Sequence, residues 1–225
     1  MDLGASMNLH AGSVSNFTAT LAFALKAARH DVPRMESPWN TGSHNELIEF
    51  IWTSLVQAEG DPGHPWRLPV LATGSRSGPN ARTVVLRGVT RPGFELLAFT
   101  DSRTSKVSEL NKKPQAVWLF YDARERVQVR AYSDVRLHSD DAVADTYWHR
   151  LPEENRQNYQ TEEAPGTPLK QPANGRILSP GNVGRFCVIV GKVTRLDWLW
   201  LAPQGHRRAE FQRQQAGWKG RWLAP

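Results

Sequence analysis

Arg82, Thr100, Thr104 and Lys106 are the residues of this chain whose types and order best suit one chemical task, the holding of a phosphate. The segment "LLAFTDS" (96–102) reads as a strand, and a helix opens directly after it near Thr104, Ser105 and Lys106. A helix N-terminus presents unpaired amides and the positive end of the helix dipole, so an anion held there by a lysine and a hydroxyl or two is physically reasonable. Arg82 begins the run "RTVVLRGV" (82–89). Read as one strand, that run puts Arg82, Val84 and Leu86 on one face and Thr83, Val85 and Arg87 on the other, so its two cations point opposite ways. In a strand so apolar each guanidinium needs an anionic or carbonyl partner, because unpaired buried charge is costly. Arg82 and Lys106 could therefore meet one phosphate. Taken singly, a junction of this kind is more often a pair of ordinary surface cations.

Two further stretches carry polar groups beside flat apolar ones. In "RERVQVR" (124–130), Gln128 stands between valines, and its amide can offer a donor and an acceptor to the edge of a heteroaromatic ring. In "LDWLWLAPQGHRRAEF" (196–211), Trp198 and Arg208 could sit opposite each other across a hairpin. The histidines show no HxxxH or HxH spacing, so no metal site is expected. GxGxxG, P-loop and G-x-S-x-G motifs do not occur.

The elements that must position these residues follow from periodicity. "SNFTATLAFALKAARHD" (15–31) has apolar residues at helical spacing, and residues 1–14 carry none and are expected to be mobile. Ser43 and Glu46 form a capping-box pattern ahead of Leu47, Ile51 and Leu55, predicting a second helix. Residues 15–65 are thus expected to form a helical segment covering a β domain of residues 66–225. From Trp66 the texture changes to short β-rich runs between turns, six or seven antiparallel strands that suggest a barrel with flanking helices, an α+β fold dominated by β. Helices interrupt at 104–113 and at 139–151, the latter with Ser139 as N-cap, and residues 152–182 read as a long polar excursion.

Composition sets the class. With 225 residues, 40% hydrophobic, the chain is globular, and a formal charge of +6 favours anionic partners. One cysteine, Cys187, excludes an intramolecular disulfide and fits a reducing, cytoplasmic setting. No stretch approaches the roughly 20 apolar residues that span a bilayer. The tryptophans are spread from Trp39 to Trp222 instead of lining one platform with interleaved cations, so nucleic acid is not an expected partner.

Taken in order, these pieces resemble the pyridoxamine 5′-phosphate oxidase family of FMN-binding split β-barrels. The family's R-x-V-L-L-K strand is similar to Arg82-Thr83-Val84-Val85-Leu86-Arg87. Its Y-T, then S-R-K, is similar to Phe99-Thr100, then Thr104-Ser105-Lys106; its E-R-Q-V to Arg126-Val127-Gln128-Val129. Its Trp, R-x-H and Arg resemble Trp198, Gln204-Gly205-His206 and Arg208, and its closing A-W-K-x-x-R-L-A-P resembles residues 217–225. The resemblance implies an FMN phosphate held by Arg82, Lys106 and Thr100 or Thr104, with Phe99 beside them. It implies that residues Thr83, Val84 and Val85 lie along the isoalloxazine, that Gln128, Trp198 and Arg208 complete the pocket, and that a homodimer builds it at the subunit interface. Ser105 stands where the family has a phosphate-binding Arg, and Arg103 is the expected replacement from two residues away. Arg87 occupies the place from which the family's Lys addresses substrate.

For substrate, the family's Lys, Tyr, Arg and Ser correspond to Arg87, Tyr147, Leu151 and Asn155, and its R-x-H arginine to Gln204. The expectation is an FMN-dependent oxidoreductase acting on a small molecule, with Arg87 and Tyr147 positioning it and His206 as the first candidate for a proton relay. The alternatives are an authentic pyridoxine or pyridoxamine 5′-phosphate oxidase, in which Arg150 or Arg156 compensates for Leu151, and a non-catalytic binder of flavin or haem.

Overall fold

The computed structural model describes residues 37–172 and 185–225; the expectations for 1–14, for a helix within 15–31 and for 173–182 lie outside them. Helix α1, His44–Gly60, begins as its sequence predicts, with the Ser43 hydroxyl accepting from the Glu46 amide at 3.3 Å. The reciprocal bond of the capping box passes through Thr41: the Ser43 amide donates to the Thr41 hydroxyl, which donates to the Glu46 carboxylate. The apolar stripe of α1, Leu47, Ile51 and Leu55 with Trp52, is fully buried.

The strands are β1 (Val70–Ser75), β2 (Gly78–Thr83), β3 (Gly88–Thr90), β4 (Glu95–Asp101), β5 (Gln115–Asp122), β6 (Val127–His138), β7 (Phe186–Trp200), β8 (Arg207–Gln214) and β9 (Gly217–Leu223). Helices α2 (Ser105–Lys112), α3 (Ala142–Arg150) and α4 (Glu153–Arg156) complete the regular elements among the described residues. All nine strands join one antiparallel sheet, with β2-β1-β5-β6-β7-β4-β3 as successive neighbours and β8 and β9 continuing from β7.

The run 82–89 departs from its reading as one strand. It is divided: β2 ends at Thr83, β3 starts at Gly88, and the two lie at opposite ends of the seven-strand path. In a flat sheet six strand spacings of about 4.8 Å would hold those ends about 29 Å apart. The chain from Thr83 to Gly88 spans at most about 18 Å. The sheet must therefore curl until its edges approach, and residues 84–87 cross the opening, their amides donating to Pro69, Arg67 and Leu97 carbonyls of the flanking segments. No ladder joins β2 to β3 among the described residues, so the barrel is split there. This is a split β-barrel of nine strands among the described residues, more than the six or seven expected. The increase comes from that division and from the short 217–223, which pairs as a strand despite weak β patterning.

The core fills the curl. Trp52, Trp66, Trp118, Trp198, Phe120 and Phe211 are each less than 2% exposed. A second cluster, Leu97, Ala144, Trp148, Leu151, Phe186 and Val188, lies under α3. That helix is capped by Asp141, whose carboxylate accepts from the Val143 and Ala144 amides; the cap expected at Ser139 falls two residues early because the carboxylate takes both amides. The excursion after Pro152 is also less loose than its composition implies. It begins with α4 and a 3₁₀ turn, Gln160 is buried, and the carbonyls of Thr161 and Glu162 accept from Arg103.

Candidate functional site

Strand β4 delivers Thr100 and, one tight turn later, Thr104 and the start of α2. The Lys106 ammonium donates to the Thr100 hydroxyl at 3.0 Å, and the hydroxyls of Thr100 and Thr104 are 3.2 Å apart. The Thr104 hydroxyl is not spent on capping α2; it donates to the Asp101 carbonyl. Burial pulls the Lys106 pKa below its ordinary 10.5, and the positive charge of Arg82 pulls it further, with Asp101 and Glu109 opposing. Arg82 reaches the same helix through its ion pair with Glu109, three residues on from Lys106.

Glu109, on the inner face of α2, fixes Arg82. Its carboxylate accepts from the Thr73 hydroxyl, the Asn80 amide at 2.9 Å and the Arg82 guanidinium at 3.0 Å. Burial alone would raise the Glu109 pKa, yet the three hydrogen bonds and the Arg82 charge win and hold it below its ordinary value. Arg82 also donates to Thr73 and to the Leu71 carbonyl. Sequence reasoning assigned Glu109 no role in the site; its signal was a carboxylate three residues after Lys106 on the face of an amphipathic helix.

Arg103, the residue expected to replace the arginine missing at Ser105, is engaged with other groups. It forms a two-point ion pair with Asp101, its contact at 2.7 Å, and donates to the Thr161 and Glu162 carbonyls, so Nε, Nη1 and Nη2 are all committed. The Asp101 hydrogen bond raises its pKa accordingly. Ser105 is exposed at the helix start.

A second group gathers on the other side of β4. Arg87 lies 6.0 Å from the Phe99 ring centre, Phe99 lies 5.4 Å from Tyr147, and Arg150 lies 5.9 Å from the Tyr147 ring. Arg87 and Tyr147 thus converge on one aromatic platform. Leu151, the positional counterpart of a phosphate-binding arginine, is turned into the core beneath α3, whereas Arg150 is exposed beside Tyr147. Thr83 ends β2 and is exposed, and Val84 and Val85 are half-buried in the crossing segment.

The third group lies on β6, β7 and β8. Gln128 pairs with Leu199, which pairs with Arg208, so Gln128 and Arg208 flank one leucine on one face. Trp198 pairs with Ala209 and not with Arg208, and its indole is buried in the core; an offset of one residue sends the two side chains to opposite faces. His206 is exposed in the β7–β8 connection and joins neither group.

A split barrel with a half-buried lysine, a neighbouring arginine and two hydroxyls at a helix N-terminus is a protein built to hold a phosphorylated cofactor. Among the described residues Lys106 has no carboxylate at salt-bridge distance, so a dianionic phosphate would relieve the desolvation it bears; the donor set fits FMN.

Residues 50–139 match the family described as pyridoxamine 5′-phosphate oxidase, FMN-binding domain. The chain is 39% identical over 163 residues to a pyridoxine/pyridoxamine 5′-phosphate oxidase of Deinococcus deserti, covering 66% of this chain and 74% of that one. It is 22% identical over 219 residues to the protein of that name from Legionella pneumophila, covering 90% and 98%. Among solved structures it is similar to a pyridoxamine 5′-phosphate oxidase-related, FMN-binding protein from Nostoc punctiforme, with 25% identity, TM-score 0.63 and coverage of 85% and 100%. The fold is also that of PhzG from Burkholderia lata, at 16% identity, TM-score 0.61 and coverage of 87% and 98%. The chain belongs to the pyridoxamine 5′-phosphate oxidase-like family of FMN-binding proteins, and its cofactor is FMN. No helix among the described residues is long and apolar enough to cross a membrane.

Proposed function

We propose that this chain is a homodimeric FMN-dependent oxidoreductase of the reducing cytoplasm, acting on a small molecule. The observation that carries the reading is the cluster of Lys106, Thr100 and Thr104 at the start of α2, with Arg82 held against the same helix by Glu109. Bound there, FMN supplies a two-electron acceptor; the protein supplies position, charge and exclusion of water. In this reading Arg82 and Lys106 grip the phosphate, the α2 amides at Ser105 and Lys106 face it, and the crossing segment Thr83–Val85 runs along the cofactor. Gln128 and Arg208 line the pocket from the β6–β8 side, with Trp198 packed in the core behind them.

The platform of Phe99 and Tyr147, with Arg87 at one end and Arg150 at the other, suits a flat molecule carrying an anionic group: rings stack, and each guanidinium reaches over an edge. Tyr147 and Arg87 orient that molecule, and His206, exposed in the β7–β8 connection, is the first candidate for a proton relay once the partner subunit completes the site. The purified protein should be yellow, release one FMN per chain on acid treatment and elute as a dimer. Its flavin should be bleached by substrate and recoloured by an acceptor. A colourless dimer that takes up no FMN would overturn the reading.

One observation favours a narrower activity, oxidation of pyridoxine or pyridoxamine 5′-phosphate. Arg150 presents beside Tyr147 the cation that Leu151 lacks, and positions 150 and 151 are adjacent at the C-terminal end of α3. Turnover of pyridoxine 5′-phosphate by the unaltered protein, lost at least tenfold in Arg150→Ala, supports the narrower activity; no turnover in either rejects it.

A further inference from the structure

We propose that Asp197 is a positioning residue for the flavin site, clamping Arg130 and Arg208 side by side and offsetting part of the positive charge that the isoalloxazine meets. The inference rests on the reading above, in which Gln128 and Arg208 face the flavin.

Asp197 stands in the apolar run "RLDWLW" of β7 and is 2% exposed. A carboxylate so buried is tolerated only when paired. Here Arg130 on β6 and Arg208 on β8 both donate Nη2 to Asp197 Oδ2, each at 2.8 Å. The three residues sit on adjacent strands, Arg130 opposite Asp197 and Arg208 diagonal to it, next to the Gln128–Leu199–Arg208 row. The Asp197 hydrogen bond raises the Arg208 pKa.

The clamp is one-edged. Asp197 Oδ1, Arg130 Nε and Arg208 Nε are buried without a hydrogen-bond partner, while the two arginine side chains remain 35% and 31% exposed. A structural ion pair of this burial would use both carboxylate oxygens and both edges of the fork. Instead, Asp197 grips each guanidinium by one nitrogen, and each arginine side chain keeps about a third of its surface exposed. The surrounding charges are Arg195 and Arg221 on Glu210, with Arg195 stacked on Tyr132 at 3.5 Å. Glu210 is taken up by that neighbouring pair, so Asp197 is the carboxylate that sets the balance at Arg130 and Arg208.

Removing its charge while keeping its shape separates positioning from folding. In Asp197→Asn the arginines lose their clamp, so oxidised FMN should bind about tenfold more weakly. A carboxylate near the flavin opposes electron uptake, so reduced FMN should gain about tenfold over oxidised FMN, a midpoint potential higher by about 30 mV. In a background carrying both Arg130→Gln and Arg208→Gln the same substitution should change affinity less than twofold, because the groups it positions are gone. Arg208→Lys, which keeps the charge but not the fork, should weaken FMN binding as Asp197→Asn does, and provides the comparison should the asparagine variant not fold. Apo-protein that melts lower but binds FMN with unchanged affinity and potential would show Asp197 to be merely structural and overturn the proposal. Wild-type protein that binds no FMN would instead overturn the flavin reading on which it rests.

Discussion

The two sides of β4 are built differently. On the Thr100 side, the cations are fixed by the protein itself: Arg82 is anchored by Glu109, Thr73 and the Leu71 carbonyl, and Lys106 by Thr100. On the Phe99 side, Arg87 and Arg150 rest against rings and make no salt bridge among the described residues. A constant cofactor rewards a site whose cost of ordering is met on folding, whereas the open side keeps charges that a substrate can still organise. The contrast predicts that substitutions on the first side damage stability and cofactor retention together, and those on the second side damage turnover alone.

The largest effect should come from Glu109→Ala. It strands Arg82, Asn80 and Thr73 around a vacated buried charge, at about 3 kcal/mol, or roughly 6 to 12 °C in Tm for a chain of this size. Thermal unfolding of the apo-protein reads it, and a wild-type melting curve would erase the distinction between the two sides. Arg87→Ala and Tyr147→Phe should raise the substrate KM by about tenfold, near 1.4 kcal/mol, while FMN affinity stays at the wild-type value. If FMN is lost as well, the two sides are one site.

The alkaline limb sharpens the comparison further. Lys106 titrates below 10.5 because burial and Arg82 disfavour its charge. Its folded pKa is depressed, so the penalty for keeping it charged is present at lower pH and is relieved as pH rises through the depressed value. FMN binding runs the other way, since the phosphate needs the ammonium; affinity should fall several-fold on that limb, below the pH at which an ordinary lysine titrates. Lys106→Arg should abolish the fall, which fluorescence titration across pH would show. The smallest effect is expected at Arg221→Ala, whose side chain is 70% exposed on β9; less than about 0.5 kcal/mol should be lost.

What the sequence revealed divides along the same line. Thr100, Thr104 and Lys106 were legible because one strand-to-helix junction presents all three. The bond from Arg82 to Glu109 needed the fold that brings β2 to α2, and no local pattern announces it. The break at Val84–Arg87 was hidden by its own composition: an apolar, β-branched run reads as continuous strand, and only the closing of a barrel turns it into a crossing. The pairing of Trp198 with Arg208 failed by one residue of register, which the hairpin's length sets and which inverts every side chain. Asp197 could have been noticed, as a lone carboxylate between Leu196 and Trp198, but its two partners sit on other strands. The engagement of Arg103 by Asp101, two residues away, was not read from the sequence because nothing local marks the pair.

The central claim is that the flavin phosphate docks between Arg82 and Lys106, and the ratio of FMN to riboflavin affinity tests it most directly, because the two ligands differ only in that phosphate. The wild-type ratio should be large, fall about 10- to 100-fold in Arg82→Ala and in Lys106→Ala, as the loss of one charge-assisted contact requires, and persist in Arg87→Ala. An unchanged ratio in the first two variants would contradict the account.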